Sequence, residues 1–330
     1  MPVTAKDIAR ELQLSQPTVS RILSGDQRHR VSEATRQRVV EAARRLGYQP
    51  NAVARSLRRG RTDIIGLYTN HDYDARNDFL GTILGALQRN CEAHDLDLLL
   101  HSAQFGRSAE VVLGKLQDGR IDGLILHAGV SDPLVELIRQ SPIPVVTIAD
   151  RLPGLASVTC DDADGIRQMM AFLWGQGHRR FVYLLPESPP ISVERRHAAF
   201  LAEAARLGLP EQDQHTLRVD YGHMEGALDA LRDFGFPCAA LCWNDGSAYY
   251  LLRDALNAGV CVPEELAVTG FDGFLDEKIP ARELVTIKCP WADAAAMAFR
   301  MLLKQIENGP DSSDGGETCL PVTLLTGNTA

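Results

Sequence analysis

Residues 4–23 read Thr4-Ala5-Lys6-Asp7-Ile8-Ala9-Arg10-Glu11-Leu12-Gln13-Leu14-Ser15-Gln16-Pro17-Thr18-Val19-Ser20-Arg21-Ile22-Leu23, and that spacing predicts two short helices joined by a tight turn. Thr4 caps a helix whose apolar face is Ile8, Ala9 and Leu12. Gln13-Leu14 makes the turn, and Ser15 caps a second helix that turns Val19, Ile22 and Leu23 inward. Gln16, Pro17, Thr18, Ser20 and Arg21 then point outward, the side that a recognition helix offers to a DNA major groove. A third helix follows the Ser32 cap, with Val39, Val40, Ala43 and Leu46 as its expected inner face and Gly47 as its stop.

Charge divides the chain at the same place. Residues 1–61 carry a net charge of +8 and the remainder −17, within the overall −9 of the 330 residues. A run of basic residues is ordinarily a solvated face. Here it coincides with the helix-turn-helix, so it reads as a surface that meets phosphate, carried on an acidic body that avoids it.

The length suggests two or three folding units. No stretch approaches the roughly 20 apolar residues of a membrane span, and the N-terminus has no apolar core of a secretory signal. Seven scattered cysteines (Cys91, Cys160, Cys238, Cys242, Cys261, Cys289, Cys319) form no C-x-x-C pair. They read as buried, reduced thiols of a cytoplasmic protein, with neither a disulfide frame nor a zinc site.

From Asp63 onward, short apolar runs alternate with helical periodicity. The runs are Ile64–Leu67, Leu98–Leu100, Gly123–Leu126, Val145–Ile148, Phe181–Leu185, Ala239–Cys242 and Leu266–Thr269. Phe79, Ile83, Leu87 and Cys91 mark an intervening helix face. Near-continuous apolar strands alternating with helices predict parallel sheets covered on both faces, in two groups separated near residue 160. Ligands of such sheets bind at the carboxyl ends of strands. That rule selects His127, Asp150, Asn244, Asp245 and Asp272, together with the loop 70–78. Polar groups converging from several strands suit a polyhydroxylated ligand. Ordinary roles compete for these residues: Asp150 and Asp272 as caps or turn residues, Asp245 as a helix cap, His127 as a satisfied core histidine.

Four strings in register carry a family resemblance: T-x-K-D-I-A from Thr4, S-x-x-T-V-S-R-I-L from Ser15, R-V-S-E-x-T-R from Arg30 and L-G-Y-x-P-N-x-x-A-R-S-L from Leu46. With the body behind them, they resemble the lactose-repressor (LacI/GalR) family of bacterial transcription regulators along essentially the whole chain. The resemblance implies an all-α headpiece at 1–49, a hinge helix and linker at 50–61, and a two-lobed, periplasmic-binding-protein-like α/β core at 62–330. Lobe 1 would comprise about 62–159 and 291–320, and lobe 2 about 160–289 and 321–330, with crossings near Thr159, Cys289 and Leu320.

It also implies a homodimer on a near-palindromic double-stranded operator, controlled by a small molecule, a carbohydrate in the first instance. Gln16 would read adenine, Pro17 a thymine methyl and Arg21 guanine. Thr4, Thr18, Ser20 and Arg30 would hold phosphates. Ser15, Tyr48, Asn51, Ala54 and Arg55 join that DNA-facing set as members of the matched strings, and Leu57 would wedge into the minor groove. The effector set would be Asn77, Phe79, His127, Asp150, Arg196, Tyr221, Asn244 and Asp272. Two departures stand out: Ala199 replaces an expected glycine after Arg196, and Asp78 replaces a proline after Asn77. No cofactor or metal is implied. The competing reading is an α/β enzyme acting on a sugar or nucleoside, with an accessory headpiece, but no phosphate loop, zinc-protease motif or nucleophile elbow is present.

Overall fold

The computed structural model describes residues 3–24, 31–49, 56, 59–70, 78–102, 107–129, 131–220, 224–274, 282–309 and 316–330. The chain divides into two compact units, Met1–Thr62 and Asp63–Ala330.

The first unit holds α1 (Ala5–Leu12), α2 (Gln16–Leu23) and α3 (Glu33–Arg45). Each helix starts on a hydroxyl that accepts an otherwise unpaired N–H: Thr4 from Asp7, Ser15 from Thr18, Ser32 from Thr35. The Asp7 carboxylate returns a bond to the Thr4 N–H at 3.0 Å, closing a capping box. At the far end of α3, Gly47 takes a left-handed φ of 65°. That lets the Tyr48 N–H reach the Ala43 carbonyl (2.9 Å) and the Gly47 N–H reach Arg44 (3.2 Å), the two bonds of a Schellman stop. Ile8, Ala9, Val19, Ile22, Val39, Ala42 and Ala43 make the core. Val40 does not belong to it: it is 46 % exposed, and Ala42 takes the place expected of it. The stripe on α3 runs 39, 42, 43, 46, and one residue past Val39 the helix has turned about 100° away.

In the second unit the first sheet has the order β11-β5-β4-β3-β1-β2. Its strands are β1 (Ile64–Thr69), β2 (Asp97–Ser102), β3 (Gly123–His127), β4 (Val145–Ile148), β5 (Ala156–Cys160) and β11 (Glu317–Leu320). All its pairings are parallel. The second sheet has the order β12-β10-β9-β8-β6-β7. It is built from β6 (Phe181–Pro186), β7 (Gln214–Val219), β8 (Cys238–Cys242), β9 (Leu266–Asp272), β10 (Val285–Lys288) and β12 (Thr323–Leu325). Among the described residues, β12 alone runs antiparallel to its neighbour.

Helices α4 (Asp78–Ala93), α5 (Ala109–Leu116) and α6 (Pro133–Arg139) serve the first sheet. Helices α7 (Asp162–Gly175), α8 (Ile191–Arg206), α9 (Ala227–Phe234) and α10 (Asp245–Asn257) serve the second. Finally α11 (Trp291–Asn308) returns to pack on α4, β3, β4 and β5. The chain thus passes between sheets after β5, after β10 and after β11.

Apolar parallel strands sandwiched by helices are the fold class that the sequence pattern implied. Five cysteines are buried, but Cys261 and Cys319 are exposed, which corrects the reading of all seven as buried. Cys319 lies on edge strand β11, whose alternate residues face outward.

The headpiece core is small, so each member carries a large share of its stability. Ile8→Ala is expected to cost about 2–5 kcal/mol, whereas Val40→Ala should stay within about 0.5 kcal/mol. Urea unfolding of the full chain, read by hydrogen exchange of the α1–α3 amides, checks both.

Candidate functional site

Several strands of both sheets end, at their carboxyl edges, on or just before the polar residues singled out from the sequence. β3 ends on His127, β4 leads into Asp150, β8 into Trp243-Asn244, and β9 ends on Asp272. The first turns of α8 add Ser192, Arg195 and Arg196.

Arg196 is the centre. It is 4 % exposed, and its guanidinium is engaged along its edges and on one face. Nε donates to Asp162 Oδ1 at 2.8 Å and Nη1 to the Trp243 carbonyl at 2.7 Å. Nη2 lies 3.6 Å from Asp272 Oδ1, and the group stacks 3.7 Å over the Phe271 ring. Burial works against its charge, but Asp162 and Asp272 outweigh burial and hold the pKa above the ordinary arginine value.

Asp272 sits at a φ of 113°, which non-glycine residues rarely adopt. Burial pushes its carboxyl up to about 6, against the opposing pull of Arg196 and the Trp291 indole. Gly270, two residues earlier, has a steric reason to be glycine: any Cβ there would collide with Asp245 Oδ1. Asp245 is itself buried and accepts from the Thr286 hydroxyl and the Phe274 N–H. The expected cap role belongs instead to Asn244, whose Oδ1 accepts the Ser247 N–H and hydroxyl at 2.8 and 2.7 Å. Its amide oxygen is therefore committed to α10.

On the first-sheet side, His127 Nδ1 lies 3.3 Å from Thr69 Oγ1, and its ring is 5.0 Å from Phe79. Phe79 in turn meets Trp291 edge-on at 4.8 Å. Asp150 is buried; Oδ1 accepts the Ser192 N–H at 2.8 Å. Burial pushes the Asp150 carboxyl up, partly offset by that bond.

Of the eight residues expected around an effector, Phe79 meets His127 and Arg196 meets Asp272, whereas Asp150 is bonded to Ser192 and Asn244 to Ser247. Asn77 and Tyr221 lie outside the described residues, as do Arg30, Asn51, Ala54, Arg55 and Leu57 of the DNA-facing set. In the headpiece Gln16, Pro17 and Arg21 are exposed on α2, with Thr18 and Ser20 partly so. Thr4 and Ser15 use their hydroxyls as caps, and Tyr48 packs against the three-helix core.

Sequence reasoning missed Asp162, Ser192 and Trp291. Asp162 follows β5, a strand too rich in hydroxyls to register as an apolar run. Trp291 was legible only as the start of a helix. Two cavities elsewhere touch none of these residues. One of about 570 Å3 is lined by Tyr68, Asn70, Arg107 and Asp132, and one of about 530 Å3 by Met224, Tyr250 and Arg253. Among the described residues no cluster of His, Cys, Asp and Glu could hold a metal, and no helix is long and apolar enough to cross a membrane.

Comparison with known proteins resolves the class. Residues 4–51 match the model for bacterial regulatory proteins, lacI family, and residues 170–330 the model for a periplasmic binding protein-like domain. The chain therefore carries a lacI-family DNA-binding domain and a periplasmic-binding-protein-like domain. Catabolite control protein A of Priestia megaterium is 28 % identical over 312 residues, 92 % of each chain. Its counterpart from Staphylococcus xylosus is 28 % identical over 318 residues, again 92 % of each. Among solved structures, a lac repressor dimer bound to operator and the anti-inducer ONPF superposes with a TM-score of 0.84 at 23 % identity, covering 100 % of this chain and 99 % of that one. The transcriptional regulator CelR in complex with cellobiose gives 0.70 at 22 %, covering 99 % and 100 %. At these identities the structures establish the fold. With its lacI-family headpiece, the chain is a DNA-binding transcriptional regulator.

Asp272 gives the site a pH signature. The folded chain holds its proton up to about pH 6, whereas an unfolded aspartate releases it near 3.9. The native state thus binds more protons across that window, so stability falls as pH rises from about 4 to 6 and is flat above. Asp272→Asn should remove this slope, worth about 1–3 kcal/mol. Urea titrations at pH 4, 5, 6 and 7 check it, and parallel curves for the two proteins would refute it.

Proposed function

We propose that this regulator binds a neutral, polyhydroxylated effector, a carbohydrate, between its two lobes, and that the bound effector changes the affinity of its headpieces for an operator. The observation that carries the reading is the pairing of two kinds of surface at the strand ends. The partly exposed Phe79 and His127 rings offer flat apolar faces, with the buried Trp291 edge-on behind Phe79, and the second sheet contributes the buried Arg196–Asp272–Asp162 group. Rings suit the C–H face of a sugar, while carboxylates accept from its hydroxyls. The regulator solved with cellobiose supports the same class of ligand.

The chain acts as a homodimer, each headpiece reading one half-site of a near-palindromic operator. Gln16 at the start of α2 pairs with adenine, Pro17 meets a thymine methyl, and Arg21 reaches guanine. Thr4, Thr18 and Ser20 hold phosphates and set register. Effector binding alters lobe separation and with it the spacing of the headpieces, a coupling of about 1–3 kcal/mol.

Two measurements test these assignments. Gln16→Ala should cost about 1–3 kcal/mol of discrimination at one operator position, with binding to random DNA unchanged at the same salt. Equal losses on both DNAs would remove Gln16 from base reading. Asp272→Ala should abolish the operator response to a carbohydrate that acts on the wild type, leaving ligand-free operator affinity unchanged. Calorimetry that found wild-type carbohydrate affinity in this variant would refute the pocket.

A further inference from the structure

One turn of helix is held from across the lobe boundary. The first N–H groups of α8 have no acceptor within the helix, and Pro190 at its N-cap has no side-chain oxygen to offer. The Ser192 N–H finds its acceptor on Asp150, which follows β4 of the first sheet, at 2.8 Å. Three residues on, Arg195 spans the same boundary. Its Nε and Nη2 hold Asp162 Oδ2 at 3.0 and 2.7 Å, at the start of α7. Its Nη1 donates to Glu317 Oε1 at 3.0 Å, on edge strand β11 of the first sheet.

Glu317 is in turn fixed by its own lobe. It accepts the Thr159 hydroxyl at 2.6 Å and lies 3.7 Å from Arg151. Arg195 is 29 % and Glu317 24 % exposed, so the pair is shielded enough to count and wet enough to respond to salt.

We propose that the Arg195–Glu317 pair and the Asp150 cap of α8 form a latch that sets the separation of the lobes before any ligand arrives. First-lobe groups Asp150 and Glu317, the latter braced by Arg151 and Thr159, grip a single turn of the second lobe, next to two of the three crossings. An effector that prefers another separation must break this grip, so latch strength scales the apparent affinity of the effector. That consequence rests on the effector reading above, but the latch itself does not.

The Ser192 amide is its reporter, because its acceptor lies on the other lobe and its exchange requires that contact to part. Site-resolved hydrogen exchange on the full ligand-free chain compares wild type with Glu317→Gln, Arg195→Gln and the double variant. Each single change should raise Ser192 exchange about two- to fivefold, with β6 and β9 amides unchanged. The double variant should exceed neither single by more than experimental error. Added NaCl should speed exchange in the wild type and leave Glu317→Gln flat. Unchanged Ser192 exchange in Glu317→Gln, additive single effects, or a rise shared by the β6 and β9 amides would each overturn the latch. An operator assay with a carbohydrate panel speaks to the effector reading alone, so the two ideas fail separately.

Discussion

A guanidinium stripped of water is tolerated only when oxygen surrounds it, and Arg196 imposes that condition on the second unit. Its three oxygen partners come from different places: Asp162 beside the first crossing, the Trp243 carbonyl after β8, and Asp272 at the tip of β9. Removing one partner of such a buried group typically costs about 3–5 kcal/mol, because a charge is left without compensation. The cost explains the backbone around it. Asp272 is held at a positive φ by neighbours that determine its position: the Cys289 N–H takes its carbonyl at 3.1 Å, and Asp245 ties down the following turn through the Phe274 N–H.

Asp245 shows how closely support and function are interleaved. Its carboxylate fills the space that a side chain on residue 270 would need, so the V-T-G-F-D string is a packing solution as much as a binding one. Burial pushes the Asp245 carboxyl upward, with Asp272 adding to that push, while bonds from Thr286, Phe274 and Gly273 oppose it. Two acids of similar sequence appearance thus have different work: one braces the loop and the other faces Arg196.

What was legible in the sequence followed from periodicity and caps. Thr4, Ser15 and Ser32 fixed the three helix starts, and the apolar runs gave seven strands, because side chains packed on both faces must be apolar. Of the strands that escaped, β7, β11 and β12 are half-exposed sheet edges, and β5 and β10 bury hydroxyls. Ser157, Thr159 and Thr286 are all fully buried, and each is satisfied by a specific partner: Thr147 and Leu155, Glu317, and Asp245. The partners of Thr159 and Thr286 are distant in the chain and carry no local signal. The same holds for the site. Single residues at strand ends could be selected, but the contact of Asp150 with Ser192, 42 positions away, exists only in three dimensions.

The three crossings also set an order on synthesis. The first sheet has β1 to β5 by residue 160, yet the helix that covers part of it, α11, begins at Trp291, and its edge strand at Glu317. At about 5–20 residues per second, the roughly 130 residues between leave that apolar face bare for about 7–26 s. Ala295, Ala298, Phe299 and Leu302 then close it. The nascent first lobe therefore waits with an apolar face in water. The second lobe, whose β6 to β10 arrive in one stretch, can assemble its sheet while the first still waits for its cover.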